Sequence, residues 1–130
     1  MIKEHLLNPE EFFGEWMLPS IAKNVPAYAD QDYWRGRIWG PMNFLVYMGL
    51  MNYDLPEAQK LLSENSNKLM MDNVQLNGYI YENYNGITGN ISNPAEGRQM
   101  GDNYYHWGAL LGFISFMEKD YVDHPMKNIK

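Results

Sequence analysis

Apolar residues along this chain fall into three blocks of helical length, separated by two long stretches rich in glycine, proline and asparagine. The first block begins at Gly40 and Pro41, residues that suit the first turn of a helix, and runs to about Tyr53. From Met42 to Met51, only Asn43 and Gly49 interrupt the apolar residues, so no side of the helix is polar. The pattern predicts a helix that is buried on every side.

The second block has the spacing of an amphipathic helix. Asp54 stands at its start and Glu57 follows three residues later, which is the pattern of a capping box. Leucine, alanine and methionine form one stripe, opposite a face of glutamine, lysine, serine, glutamate and asparagine. The helix should end near Gly78, with its polar face in solvent.

The third block, YYHWGALLGFISFMEKDY, starts after Asp102 or Asn103 and is again apolar nearly all round. Gly108 and Gly112 fall on one face of this helix and would allow a neighbouring element to approach closely. The pattern predicts a second helix that is buried on every side.

Weaker signals indicate the remaining local structure. Asn8 and Pro9 are typical of the start of a short helix, and a further helical turn is predicted near residues 20–23. A short extended stretch is expected at residues 79–82, within the long loop that leads to the third helix. The segment 120–130 is polar and is expected to fray.

The order of these elements predicts the fold class. A buried helix, an amphipathic helix and a second buried helix follow one another, and a long loop precedes each buried helix. This order is typical of an α/α toroid, in which parallel inner helices surround an axis and outer helices wrap them. We therefore predict an all-α fold of helical hairpins, forming part of a toroid that is incomplete in this chain. Residues 1–130 should form a single domain, with both long loops at one end.

Composition and charge argue against several classes of partner. The 130 residues suffice for one domain, and 16 acidic against 10 basic side chains give a net charge of −6, which disfavours nucleic acid and anionic membranes. No segment approaches the roughly 20 apolar residues that span a bilayer, and the first residues do not resemble a signal peptide. We expect a cytoplasmic chain as written, whereas a full-length parent protein could be periplasmic.

Aromatic residues make up 15% of the chain, which is more than a small core needs, and many of them lie in the two loops. Tyr33, Trp34 and Arg35 lead towards the first buried helix, where we expect them at the mouth of a small-molecule pocket. Tyr and Trp rings stack on the apolar faces of sugars, and Arg35 offers donors to sugar hydroxyls. Trp39 is assigned to the core.

The segments DQDYWRGRIW, YENYNGITG and HWGALLG carry a resemblance to a known family. Residues 8–117 resemble the C-terminal part of the catalytic (α/α)6 domain of glycoside hydrolase family 63 and its mannosylglycerate-hydrolase-like relatives. The resemblance implies an inverting glycosidase that hydrolyses α-linked glucosides or mannosides without a cofactor. It also implies that Glu82 is the general base and that Tyr33, Trp34 and Trp107 shape the sugar pocket.

The chemistry of an inverting glycosidase is consistent with this carry-over. Its base is a carboxylate that holds a water molecule against the anomeric carbon, about 6.5–9.5 Å from the general acid. Glu82 is flanked by Tyr81 and Tyr84, which can orient it, and Tyr84 is also predicted to contribute to substrate binding. The predicted partner is a sugar or an oligosaccharide.

The general acid is the main departure from the family. In the family it is an aspartate upstream of the YWRG loop, in a part of the toroid that this chain does not contain. Asp30, Asp32 and Asp102 lie in suitable loops, but no motif gives any of them that role. We therefore expect a fragment-like C-terminal portion that binds sugars weakly and does not hydrolyse them alone. It should form a homo-oligomer or pair with an upstream N-terminal portion.

Other interpretations of the same residues stay open at this point. Trp107 suits core packing as well as a sugar pocket, and Arg35 suits a structural pair with Asp32. His106 is expected to be structural, and the wide separation of the three histidines argues against a metal site. Two alternative functions are a non-catalytic carbohydrate-binding domain and an oligomerising helical domain.

Overall fold

Three α-helices carry the fold. The computed structural model describes residues 1–93 and 98–123. The helices, numbered in chain order, are α1 (Gly40–Leu50), α2 (Pro56–Asn77) and α3 (His106–Glu118). A π-helical segment at Ile2–Leu6 and a 3-10 helix at Pro26–Asp30 precede them. No helix within the described ranges is both long and apolar enough to cross a membrane.

The strands are only two residues long. They form two antiparallel pairs, β1 (Ile38–Trp39) with β2 (Asn83–Tyr84) and β3 (Ser92–Asn93) with β4 (Arg98–Gln99). Helix therefore dominates the structure, which is consistent with part of a helical toroid, and the predicted fold class is confirmed.

Helices α1 and α3 lie side by side and point the same way. At their starts, a Cβ added to Gly40 would lie 2.1 Å from the carbonyl oxygen of Trp107. In their middles, the rings of Phe44 and Phe113 are 6.1 Å apart. Near their ends, the Tyr47 hydroxyl donates a hydrogen bond to Glu118. The parallel arrangement brings the loops that enter the two helices to one end of the molecule.

Helix α2 runs antiparallel to this pair and covers it on one side. Near the start of α2, the side-chain amide of Gln59 donates to the carbonyl of Leu50 at the end of α1 (2.9 Å). The buried face of α2 includes Leu62 and Leu69, whereas its charged residues are exposed, as the amphipathic pattern predicts. The predicted Asp54 cap is wrong, because the helix begins at Pro56 and its preceding residue makes no side-chain capping bond.

The prediction that α1 and α3 are buried on every side is wrong for this chain. Leu45 on α1 is 68% exposed and Phe116 on α3 is 50% exposed. The polar residue of α1, Asn43, is buried instead and donates to the Ser66 hydroxyl at 3.2 Å. α1 and α3 bury the sides that face each other and α2, and each leaves an apolar side uncovered.

Several local predictions also need correction. The short helix predicted to start at Asn8 does not form. Three successive backbone amides, those of residues 11–13, donate to the Asn8 carbonyl in a single turn that ends before Gly14. The helical turn predicted at 20–23 lies later, in the 3-10 helix, where proline suits the first position. The extended stretch predicted at 79–82 is shifted to β2, and α3 ends at Glu118. Of the predicted polar tail, residues 124–130 lie outside the described residues.

The close contact between α1 and α3 predicts opposite effects on stability for substitutions at two glycines of α1. Gly40→Ala places a methyl group against the backbone of Trp107, which cannot move without separating the helices. We expect it to lower the free energy of unfolding by at least about 2 kcal/mol in urea titrations. Gly49→Ala is the matched control, because a Cβ there meets nothing within 4 Å and should stabilise the helix by about 0.5–1 kcal/mol. Equal effects of the two substitutions would contradict the close packing.

Candidate active site

The pairing of β1 with β2 joins the two loops that the sequence singled out. Ile38 lies opposite Tyr84, and Trp39 lies opposite Asn83. Because side chains alternate along a strand, Ile38 and Tyr84 share one face and Trp39 and Asn83 share the other. The first face packs into a core cluster with Leu69, Tyr81 and Leu111, which leaves the second for the site.

Glu82 lies at a bend just before β2 and is 7% exposed. The Tyr33 hydroxyl donates to its Oε1 at 2.7 Å, and the Asn83 amide nitrogen lies 3.5 Å from its Oε2. The Glu82 backbone amide donates to the Asp102 carbonyl at 2.9 Å. Each carboxylate oxygen therefore has a donor, and the backbone is fixed to the segment that precedes α3.

A shallow open cleft of about 430 Å³ adjoins the Glu82 carboxylate. Its lining combines a phenol, two carboxylates and a side-chain amide, with one methionine and one glycine: Tyr33, Glu82, Gln99, Met100, Gly101 and Asp102. Such a polar surface suits a ligand with many hydroxyl groups, and the volume is within the usual range for small-molecule sites.

Three tryptophan side chains extend the aromatic cluster that begins at Tyr33. The Trp34 and Trp39 rings are stacked, with centroids 3.8 Å apart and planes 11° apart. Trp39 is fully buried, which confirms its assignment to the core, and its indole N–H donates to the carbonyl of Tyr33 at 3.0 Å. Trp34 is 49% exposed, so one face rests on Trp39 and the other is open. Trp107 meets Trp39 edge-on at 6.1 Å.

Of the predicted residues, only Tyr33 and Glu82 line the cleft itself, and the last two lie outside both the cleft and the tryptophan cluster. Arg35 is on the surface and forms ion pairs with Asp30 (3.3 Å) and Asp32 (3.2 Å), which is the structural alternative considered from the sequence. Tyr84 is completely buried, and its hydroxyl accepts a hydrogen bond from the Tyr81 amide at 3.2 Å. The structure thus brings Glu82, Tyr33 and Trp34 together, with Trp107 behind Trp39, and places Tyr84 in the core.

Arg37 and Asn83 are the polar residues of the site whose arrangement the sequence did not indicate. Arg37 is completely buried, and this burial lowers the pKa of its guanidinium to about 10. Its Nε donates to the Asn83 side-chain oxygen, and its Nη2 donates to the Ile91 carbonyl at 2.7 Å. The one sequence signal was an arginine directly before the apolar pair Ile38–Trp39.

Gly36 allows the aromatic loop to fold tightly against the turn after β2. Its φ of +97° favours glycine, and a Cβ there would lie 2.6 Å from the Tyr28 carbonyl. Gln31 connects the two segments, because its side chain donates to the Tyr28 carbonyl (2.8 Å) and accepts from the Gly86 amide (2.6 Å). These bonds hold the start of the loop that carries Tyr33 against the turn after β2.

Metal-binding side chains do not cluster here. Among the residues that the structure describes, no group of three or more His, Asp or Glu side chains could hold a metal ion. The chemistry available at this site is that of an oriented carboxylate beside aromatic rings and hydroxyl-binding groups.

Known proteins match most of the chain. The family model described as the mannosylglycerate hydrolase MGH1-like glycoside hydrolase domain matches residues 1–108. The chain is 32% identical over 119 residues to the mannosyl-oligosaccharide glucosidase of Saccharomyces cerevisiae, a match that covers 80% of this chain and 13% of the relative. It is 28% identical over 129 residues to mannosyl-oligosaccharide glucosidase GCS1 of Arabidopsis thaliana, which covers 88% of this chain and 14% of the relative.

A third relative is named as a mannosylglycerate hydrolase. The chain is 30% identical over 82 residues to mannosylglycerate hydrolase MGH1 of Selaginella moellendorffii, which covers 58% of this chain and 16% of the relative. The chain thus spans between 13% and 16% of the length of these three relatives.

The hydrogen bond between Tyr33 and Glu82 predicts a dependence of stability on alkaline pH. The bond to the carboxylate, helped by burial and by the negative charge, raises the pKa of Tyr33 to about 12. An unfolded tyrosine ionises near pH 10, so the contribution of Tyr33 is fully present below pH 10 and is lost as pH rises from 10 to 12. The stability difference between the wild type and Tyr33→Phe should therefore shrink between pH 8 and pH 11 in denaturant titrations.

Tyr53→Phe provides the control for this titration, because Tyr53 is exposed beyond the opposite end of α1. Its difference from the wild type should change less with pH than that of Tyr33→Phe. A Tyr33→Phe difference that stays constant up to pH 11 would show that the phenol does not donate to Glu82.

Proposed function

The chain belongs to the family of mannosylglycerate hydrolase MGH1-like glycoside hydrolase domains, as its motifs predicted, and from that membership we propose that Glu82 is the general base of an inverting α-glycosidase site. The observation that carries the proposal is the Tyr33 hydrogen bond at 2.7 Å, which holds a nearly buried carboxylate at the edge of a polar cleft. A general base has to be held in this way, because the water that it activates must point at one carbon atom.

The open face of Trp34 supports a sugar as the substrate. A half-exposed indole that rests on a second, buried indole offers a rigid flat surface, on which the apolar face of a pyranose ring can stack. The relatives are named for a glucosidase that acts on mannosyl-oligosaccharides and for a mannosylglycerate hydrolase. We extend these names to this chain as a substrate class, an α-linked glucose or mannose unit.

Glycosyl fluorides separate the proposed base from the general acid. Fluoride leaves with little protonation, so its displacement by water needs the base more than it needs an acid. The chain should therefore hydrolyse α-glucosyl or α-mannosyl fluoride, and proton NMR should show the β-anomer as the first product. Glu82→Gln keeps the shape of the side chain but cannot accept the proton, and it should lower the rate by about 10²–10⁴-fold.

Glu64→Gln is the matched control, because Glu64 is an exposed residue on α2. It should leave the rate unchanged. Equal rates in the wild type and Glu82→Gln would contradict a general base. Sugar binding detected by tryptophan fluorescence, without fluoride turnover in the wild type, would also contradict it and would favour the non-catalytic carbohydrate-binding domain.

The uncovered sides of α1 and α3 support a second proposal, self-association of the chain. Leu45 and Phe116 are exposed, and an apolar groove of about 350 Å³ lies at the end of α1 beside Val46 and Leu50. Water contact with such surfaces is unfavourable, and a second copy of the chain can cover them.

A charge at Leu45 tests this association. Leu45→Lys should shift the chain from a dimer or larger species to a monomer in sedimentation velocity at micromolar concentration. Leu76→Lys is the control, because Leu76 is 78% exposed on α2 and away from that side. A wild-type chain that sediments as a folded monomer would contradict the association.

A further inference from the structure

Within residues 1–93 and 98–123, the buried charge of Arg37 meets no charged hydrogen-bond acceptor. Its guanidinium donates to the side-chain oxygen of Asn83, to the Gln31 carbonyl at 3.4 Å and to the Ile91 carbonyl at 2.7 Å. All three acceptors are neutral, although the side chain is completely removed from solvent. The negative charges of Asp32 and Glu82 favour the charged guanidinium, but its burial outweighs them and lowers its pKa, so a neutral side chain here would be easier to accommodate.

The bond from Arg37 fixes which way the Asn83 amide points. A guanidinium can only donate, so it must meet the oxygen of the amide and not the nitrogen. The Asn83 nitrogen then faces the opposite side, where it lies 3.5 Å from Glu82 Oε2 and 3.3 Å from the Met100 carbonyl. Without Arg37, the amide could rotate and present its oxygen to the carboxylate, which would repel it.

We infer that Arg37 is a positioning residue for Glu82, acting through the side-chain amide of Asn83. Tyr33 holds one carboxylate oxygen and Asn83 faces the other, so the two donors together restrict rotation of the carboxylate. The inference rests on the proposed role of Glu82 as the base. The inference adds that a residue without contact to the substrate determines the orientation of the base.

The orientation of Asn83 can be measured without any activity. In the wild type, NMR should show the Asn83 side-chain NH₂ protected from solvent exchange. Arg37→Met, which has a similar apolar length and no donor, should lose the protection, whereas Arg37→Lys, which keeps one donor site, should retain part of it. Arg35→Met removes the neighbouring exposed arginine and should leave this signal unchanged. A protected amide in folded Arg37→Met would overturn the inference.

Kinetics with glycosyl fluoride then test the effect on the base. Arg37→Met should lower kcat about 10–100-fold with little change in KM, because a misoriented base slows the chemical step and does not weaken binding of the substrate in its ground state. Asn83→Leu keeps Arg37 and removes the amide, and it should show the same loss. If Arg37→Met does not fold, this second variant decides the result, and an unchanged kcat in Asn83→Leu would overturn the inference.

Azide rescue of Glu82→Ala distinguishes a misoriented base from a general loss of stability. Azide attacks the anomeric carbon directly as the C–F bond breaks and fluoride leaves with the bonding electrons, so this route does not need a carboxylate. Adding Arg37→Met to Glu82→Ala should leave the azide-dependent rate within about twofold, since the effect of Arg37 passes through Glu82. An equal loss in both backgrounds would show that Arg37 acts only through stability.

The role of Glu82 and the role of Arg37 are separated by these measurements. Equal rates for wild type and Glu82→Gln would remove the proposed base and leave the NMR result on Asn83 to decide the hydrogen-bond relay. A large effect of Glu82→Gln together with an unchanged kcat in Arg37→Met would leave the base in place and reject the role of Arg37.

Discussion

The close parallel contact between α1 and α3 is the constraint on which the site depends. Gly40 allows it, because a Cβ there would meet the carbonyl of Trp107. On α3, Gly108 lets the segment that carries Glu82 approach as closely, since a Cβ there would lie 2.0 Å from the carbonyl of Tyr81. Because the helices start at the same end, the segments that precede them must meet there. One segment ends in β1, and the other carries Glu82 and Asp102, so the cleft is a consequence of helix packing.

The β1–β2 pair turns this proximity into a defined geometry. It has two residues in each strand, too few to be stable alone. The alternation of side chains along each strand nevertheless separates a core-facing side from a site-facing side. Ile38 and Tyr84 complete a core cluster, while Trp39 and Asn83 face the polar and aromatic side. A shift of register by one residue would exchange these faces. The fully buried Ile38 and Trp39 therefore fix the position of Asn83, next to Glu82.

The sequence predicted the helices and the meeting of the two loops, because hydrophobic periodicity and turn residues are local signals. It did not predict the role of Arg37, because two of the acceptors, Asn83 and Ile91, lie 46 and 54 residues away in the chain. Tyr84 was misplaced for a related reason: nearness to Glu82 in sequence suggested nearness in the cleft, but Glu82 lies at a bend and Tyr84 lies on a strand face that points into the core. The predicted burial of α1 failed because apolar composition describes what a helix prefers, whereas exposure depends on the neighbours that are present.

The unequal bonds to the two oxygens of Glu82 suit the role proposed for it. Each hydrogen-bond donor restricts the orientation of a carboxylate but also makes it a weaker acceptor for a proton. A general base therefore cannot accept strong hydrogen bonds at both oxygens. Tyr33 binds Oε1 at 2.7 Å, whereas Asn83 approaches Oε2 only to 3.5 Å. In the proposed mechanism, the short bond sets the orientation and the loosely held oxygen keeps the capacity to accept a proton from water. The buried guanidinium behind Asn83 then holds that weak donor in place without itself bonding to the base.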